Sequence, residues 1–177
     1  MGKRMAAAAI AAMVGCAALE CAAMTGFDAD FNAATARARQ SGKPLFVLFT
    51  GSDWCIWCKR LGAEVLSQPE FLDVATNSYE LAVIDFPRDR SGQTDDERVR
   101  NKALCGKYGV RGFPTVLLLD ADGKELYRAG YERGGAKAWI EAFQAAVRAK
   151  LPDDGVPKQK KEGAEALPET RKTESGS

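Results

Sequence analysis

Phe49-Thr50-Gly51-Ser52-Asp53-Trp54-Cys55-Ile56-Trp57-Cys58-Lys59 is the stretch that decides how this chain is read. It begins at the end of an apolar run, Leu45-Phe46-Val47-Leu48-Phe49, bounded by Pro44 and Gly51. A short continuous apolar run between such breakers reads as a strand buried on both faces. A helix is then expected from Trp54 or Cys55 to about Leu66, which puts both cysteines at its start. The first N–H groups of a helix lack partners and carry partial positive charge. A thiolate placed there is stabilised, and its pKa falls. On this reading Cys55 is the exposed nucleophile of the first turn. Cys58, nearly one turn later, is close enough to attack a mixed disulfide formed on Cys55. Run backwards, the same pair oxidises thiols.

Three other readings of the pair compete. A zinc half-site needs two more ligands; the chain has no histidine, so scattered cysteines or carboxylates would have to supply them. A purely structural disulfide closes so small a loop that it constrains the unfolded chain little. The third is a pair of buried free thiols. Strand and helix context favours exchange chemistry over all three.

Outward from the motif, the pattern alternates between helical and strand signals. Asp28 to Gln40 carries Phe31, Ala34 and Ala38 at helical spacing, with Gly42 as a stop. Ser67-Gln68-Pro69-Glu70 has capping-box spacing and predicts a second short helix beyond the motif helix. Tyr79 to Phe86 reads as a strand, Thr94 to about Lys107 as a helix opened by a Thr94/Glu97 capping box, and Thr115 to Leu119 as a strand. Asp120-Ala121-Asp122-Gly123 supplies a turn into a strand over Lys124 to Ala129. Gly134 to Lys150 reads as a helix with Trp139, Ile140, Phe143 and Val147 on one face. This order predicts an α/β fold with a mixed sheet covered by helices.

Composition narrows the function. The chain has 177 residues, 46% of them hydrophobic, enough for a core and too many for a wholly disordered chain. Its 25 Lys+Arg against 24 Asp+Glu give no support to nucleic-acid binding. The lack of histidine removes His-based triads, His–metal sites and histidine pH switches. Cys105, on a predicted helix, reads as a buried, inert small hydrophobe, with a regulatory thiol as the alternative.

Both ends read as lying outside the fold. Lys3-Arg4 followed by an uncharged, Ala-rich run from Met5 to Leu19 is the pattern of a secretory signal peptide, and it is shorter than the roughly 18 apolar residues of a membrane span. Cleavage near residue 23 leaves a domain over 24–151. Met13-Val14-Gly15-Cys16 offers another cut, after residue 15, with Cys16 lipidated. Residues 152–177 are rich in Pro and mixed charge and read as a disordered tail.

The segment Trp54-Cys55-Ile56-Trp57-Cys58-Lys59 resembles the thioredoxin superfamily, in which Trp-Cys-x-x-Cys-Lys opens the active-site helix. Lys107-Tyr108-Gly109-Val110-Arg111-Gly112-Phe113-Pro114-Thr115 is similar to that family's second landmark. The resemblance runs from about Phe27 to Leu151 and is strongest to exported bacterial thioredoxin-like proteins. It implies a thioredoxin-like fold, a central mixed sheet of four or five strands flanked by helices, with Pro114 cis and facing the cysteines. It also implies that the backbone at Phe113 pairs with an extended substrate. Trp54 and Trp57 are then a rim for peptide-like substrates, with core packing the rival reading, above all for Trp54. The buried Asp of thioredoxins proper falls on Leu48 or Phe49, neither of which transfers a proton; Asp85 is a substitute acceptor, and Asp53 is expected to face solvent.

The expected function is thiol–disulfide exchange on exported proteins, in the reductase or isomerase direction. It needs no metal or organic cofactor beyond Cys55 and Cys58, and a membrane partner would supply electrons. Two alternatives stand beside it. One is a redox-silent binding module. The other is a thiol carrier for metal-centre or haem-protein assembly.

Overall fold

The computed structural model describes residues 26–150. Cys16, Cys21, the proposed signal peptide and the C-terminal tail lie outside the described residues. The elements run α1 (Phe31–Ser41), β1 (Leu45–Thr50), α2 (Ile56–Leu61), a π-helical turn (Gly62–Leu66) and α3 (Pro69–Ser78). They continue with β2 (Glu80–Asp85), α4 (Asp95–Lys107), β3 (Thr115–Leu119), β4 (Glu125–Ala129) and α5 (Gly135–Lys150).

All six residues of β1 are buried, which explains its lack of polar alternation. It sits inside a four-stranded sheet of order β2-β1-β3-β4. β1 pairs in parallel with β2 and antiparallel with β3, and β4 runs antiparallel to β3. Alternate side chains then feed two cores. Phe46, Leu48, Val116 and Leu118 pack with the motif helix, α3 and α5. Leu45, Val47, Phe49, Leu117 and Leu119 pack with α1 and the end of α4. Phe46 is the hub of the first core, with ring centroids 5.6 Å from Phe71 and 5.6 Å from Phe143. The outer edge of β2 is covered in part by the backbone of Asp28, which donates to Leu81 and accepts from Val83.

The helix ends follow their local chemistry. Asp30 caps α1 by accepting the Asn32 and Ala33 N–H groups, and Gly42, at φ 70°, closes it in the left-handed region where glycine is at ease. The Thr94/Glu97 capping box opens α4 as expected. The Ser67 capping box does not form. α3 begins at Pro69 with Gln68 in the cap position and no side-chain cap bond. A proline suits the first helical position, because its missing N–H would be unpaired there anyway. That start moves the cap one residue past Ser67. The Ser67 hydroxyl instead donates back to the Ala63 carbonyl at 3.3 Å.

The motif helix also departs from its expected form. It starts at Ile56, and its second half is π-helical. There the Ser67 N–H reaches the Gly62 carbonyl at 2.9 Å, five residues back. The Ala63 carbonyl takes the Gln68 side-chain amide at 2.6 Å.

One register feature positions the site. Phe49 pairs with Thr115, and Thr50 with Asp85. The end of β1 therefore delivers the cysteine loop beside the Phe113-Pro114 bend, which enters β3, and beside the exit of β2.

Candidate active site

Cys55 is the N-cap of α2, with extended backbone at φ −82° and ψ 107°. Its sulfur accepts the Cys58 N–H at 3.2 Å, the place a capping hydroxyl would occupy. Cys55 and Cys58 are joined as a disulfide, with Cα atoms 5.2 Å apart. The Cys55 sulfur also lies 3.6 Å from the Phe113 carbonyl oxygen. The Phe113-Pro114 peptide bond is cis. Motif and bend thus meet as the resemblance implied.

Exposure is the main correction. The expectation of an open Cys55 does not hold in the disulfide form: Cys55 is 5% exposed and Cys58 7%. The Cys55 sulfur is in contact with Cys58, through the disulfide and the capping N–H, and with the Phe113 carbonyl.

Trp54 and Trp57 are both exposed, so neither is core. Trp54 donates its indole N–H to the Phe86 carbonyl at 2.8 Å and meets Phe113 edge-on at 6.0 Å. Phe86 also stacks on Phe113, at 5.1 Å. Trp57 lies against Tyr131 at 5.5 Å. Trp57, Phe113, Pro114, Tyr131 and Arg133 line an open groove of about 420 Å³ beside the cysteines.

The carboxylates have structural tasks. Asp53 is exposed, as expected, yet it accepts the backbone N–H groups of Arg88 and Asp89, each at 2.9 Å. These bonds, Asp89's first, hold its carboxyl below the usual range. Asp85, offered as a proton acceptor, takes the Ser52 N–H at 2.9 Å and the Ser52 hydroxyl at 2.6 Å. Leu48 and Phe49 are buried and carry no acid. The loop after β2 is therefore pinned to the motif by Asp53 and Trp54. Tyr131 donates to Glu64 at 2.7 Å, and that bond raises its phenol pKa. Cys105 is half-buried and its thiol donates to the Val110 carbonyl at 3.3 Å, so it is less enclosed than expected.

Reasoning from sequence missed Glu64, Tyr131 and the clamp by Asp53. The position of Asp53 directly before Trp54-Cys55 was a usable signal. Tyr131 offered none, since only the return of β4 brings it to Trp57.

Fold and site together define a thioredoxin-like domain built around a Cys-x-x-Cys disulfide. Residues 31–145 match the family model described as a thioredoxin-like domain, and the chain belongs to that family. It is similar to disulfide bond reductase DsbH of Chlamydia pneumoniae, 36% identical over 111 residues that make up 63% of this chain and 66% of that protein. It is also similar to thioredoxin-related protein DsbJ of the same organism, 31% identical over 57% of this chain and 29% of that protein. The chain thus spans less than two thirds of the length of either relative. Among solved structures, a DsbH oxidoreductase matches with a TM-score of 0.65 at 30% identity, over 78% of this chain and 94% of that one. The reduced C-terminal domain of Neisseria meningitidis DsbD matches at 0.52 and 27% identity, over 67% of this chain and 97% of that one.

Proposed function

We propose that this protein is a thiol–disulfide oxidoreductase that reduces or isomerises disulfides in exported proteins. The observation that carries the reading is the Cys55 sulfur in the cap position of the motif helix, 3.2 Å from the Cys58 N–H and 3.6 Å from the Phe113 carbonyl. In the reduced protein the same N–H would donate to a Cys55 thiolate, and charge-assisted bonds of this kind favour the ionised form.

The Cys55 thiolate attacks one sulfur of a client disulfide. A Cys55–client disulfide forms, and the other client sulfur leaves as a thiolate that takes a proton. The Cys58 thiolate then attacks the Cys55 sulfur, closes the Cys55–Cys58 disulfide and releases the second client thiolate. The client gains two electrons and the pair loses two. A dithiol donor must reduce the pair again; we assign that role to a membrane partner. In isomerisation a client thiol attacks the mixed disulfide instead, and no net electrons move. Phe113 offers its backbone to an extended client, and Trp54, Trp57 and Pro114 line the approach. The pair is itself the redox centre, so the step uses no further cofactor. We place the protein outside the cytoplasm, exported by residues 1–23 or anchored through a lipidated Cys16. Within the described residues, no helix is long and apolar enough to cross a membrane.

The low exposure of both cysteines favours a second reading, a redox-silent domain whose disulfide stays shut. One experiment separates the two. Reduced protein should turn over a protein disulfide with a dithiol donor present, Cys55→Ser should abolish turnover, and Cys58→Ser should accumulate Cys55-linked clients that mass spectrometry can name. No turnover and no trapped client would favour the redox-silent domain.

A further inference from the structure

The geometry points to a client class for this site: extended segments that carry acidic side chains beside the cysteine to be attacked. The inference rests on the exchange reading above and adds a charge preference to it. Apolar surface and arginines without ion pairs share the same rim. The exposed large hydrophobic residues among the described ones are Trp54 at 39%, Ile56 at 59%, Trp57 at 45% and Val99 at 69%. Three of them flank Cys55 in the sequence, and a patch of this kind marks a contact surface.

Each of the two tryptophans carries an arginine. The Arg60 guanidinium lies 5.1 Å from the Trp57 ring centre, and that of Arg88 lies 5.4 Å from Trp54. Such stacking fixes a flexible cation at the edge of the apolar surface. A third arginine, Arg133, is among the residues lining the groove with Pro114. Among the described residues, none of these three arginines forms an ion pair; the pairs that form involve Arg37, Arg98, Arg100 and Arg128.

The nearby acids keep their charge and offset part of the arginines' field, but their short contacts go to other donors. Asp53 holds two backbone N–H groups, Asp89 holds that of Ser91, and Glu64 accepts from Tyr131. Glu132 is exposed next to Arg133 and offsets part of its charge. The formal net charge of the whole chain is only +1, so a preference for acidic clients cannot come from a general attraction. It must come from direct pairing with the rim guanidiniums, whose wider field the neighbouring acids offset. Rim charges act on encounter and register more than on the depth of binding, so the effect is salt-sensitive.

The test uses reduced full-length protein and three disulfide-bearing peptides that differ only in the residues flanking the cysteine: aspartate, serine or lysine. The expected ratio of kcat/KM for the aspartate peptide over the lysine peptide is about tenfold at low salt, the size of two or three rim pairs acting together. It should collapse towards unity near 1 M salt, where the screening length is about 3 Å. In the Arg60→Gln/Arg88→Gln/Arg133→Gln variant the low-salt ratio should fall to within about twofold. Equal turnover of the three peptides, or a preference that survives the triple variant, overturns the inference and leaves the exchange reading standing. Failure to reduce any of them overturns the exchange reading and this inference with it.

Discussion

Gly51→Ala tests the packing of the motif most sharply. Gly51 is buried at the end of β1 and is not among the positive-φ glycines, so an alanine backbone is allowed there. By itself the change would add about 0.4–1 kcal/mol through the unfolded state. A Cβ at Gly51, however, would sit 2.5–2.7 Å from three atoms of the Trp54 indole. Ordinary carbon contacts lie near 3.5–4.0 Å, so the ring must swing away. Three contacts go with it: the bond to Phe86 at 2.8 Å, the edge contact with Phe113 at 6.0 Å and the Arg88 cation at 5.4 Å. These are worth about 1, about 0.5–1.5 and about 0.5–1 kcal/mol in turn. Set against the backbone gain, the net cost is about 1–3 kcal/mol, in line with other overpacking substitutions. Urea unfolding of the oxidised full chain should show a lower midpoint at unchanged slope. The decisive arm is the Trp54→Ala background, where the clash is gone and Gly51→Ala should be neutral or stabilising. An equal cost in both backgrounds would refute this account of how Gly51 and Trp54 fit together.

Three further outcomes follow from single contacts. Phe46→Ala empties the hub of the first core and should cost about 3–5 kcal/mol, with Phe46→Leu retaining most of that, both read by urea unfolding; a loss under about 1 kcal/mol for the alanine variant would contradict the packing. Thr94→Ala removes the α4 capping box and should cost about 0.5–2 kcal/mol, whereas Ser67→Ala should show no loss of a helix cap. Asp53 has its pKa lowered by the Asp89 and Arg88 N–H groups, so its contribution is present above the unfolded value of about 3.9 and is lost as pH falls through the lower folded value. The stability gap between wild type and Asp53→Asn should therefore narrow as acid is added below about pH 4, and a gap independent of pH would count against the clamp.

What the sequence revealed and what it hid divide along a physical line. Signals carried by adjacent residues were legible: the continuous apolar run of β1, the Thr94/Glu97 cap, the turn before β4, and the cysteine pair with its proline partner. Signals that depend on where the chain returns were not. Tyr131 meets Trp57 only because β4 lies across the sheet, and Asp53 meets the loop after β2 only because β1 and β2 are parallel. Ser67 shows the limit of spacing rules. The pattern was present, but Pro69 fixed the helix start and the π-helical turn claimed the hydroxyl. The contact of Cys55 with the Phe113 carbonyl lay beyond sequence for the same reason, since a distant loop delivers it.

Exchange by this pair depends on the ionisation of Cys55 in the reduced protein. Site-resolved alkylation against pH, with mass spectrometry separating Cys55 from Cys58 and Cys105, measures it. Cys55 should react first, with a pKa well below the free-thiol value of about 8.5 and within the roughly 3.5–7.5 range of activated thiols. A Cys55 pKa at or above the free-thiol value would contradict exchange by this pair.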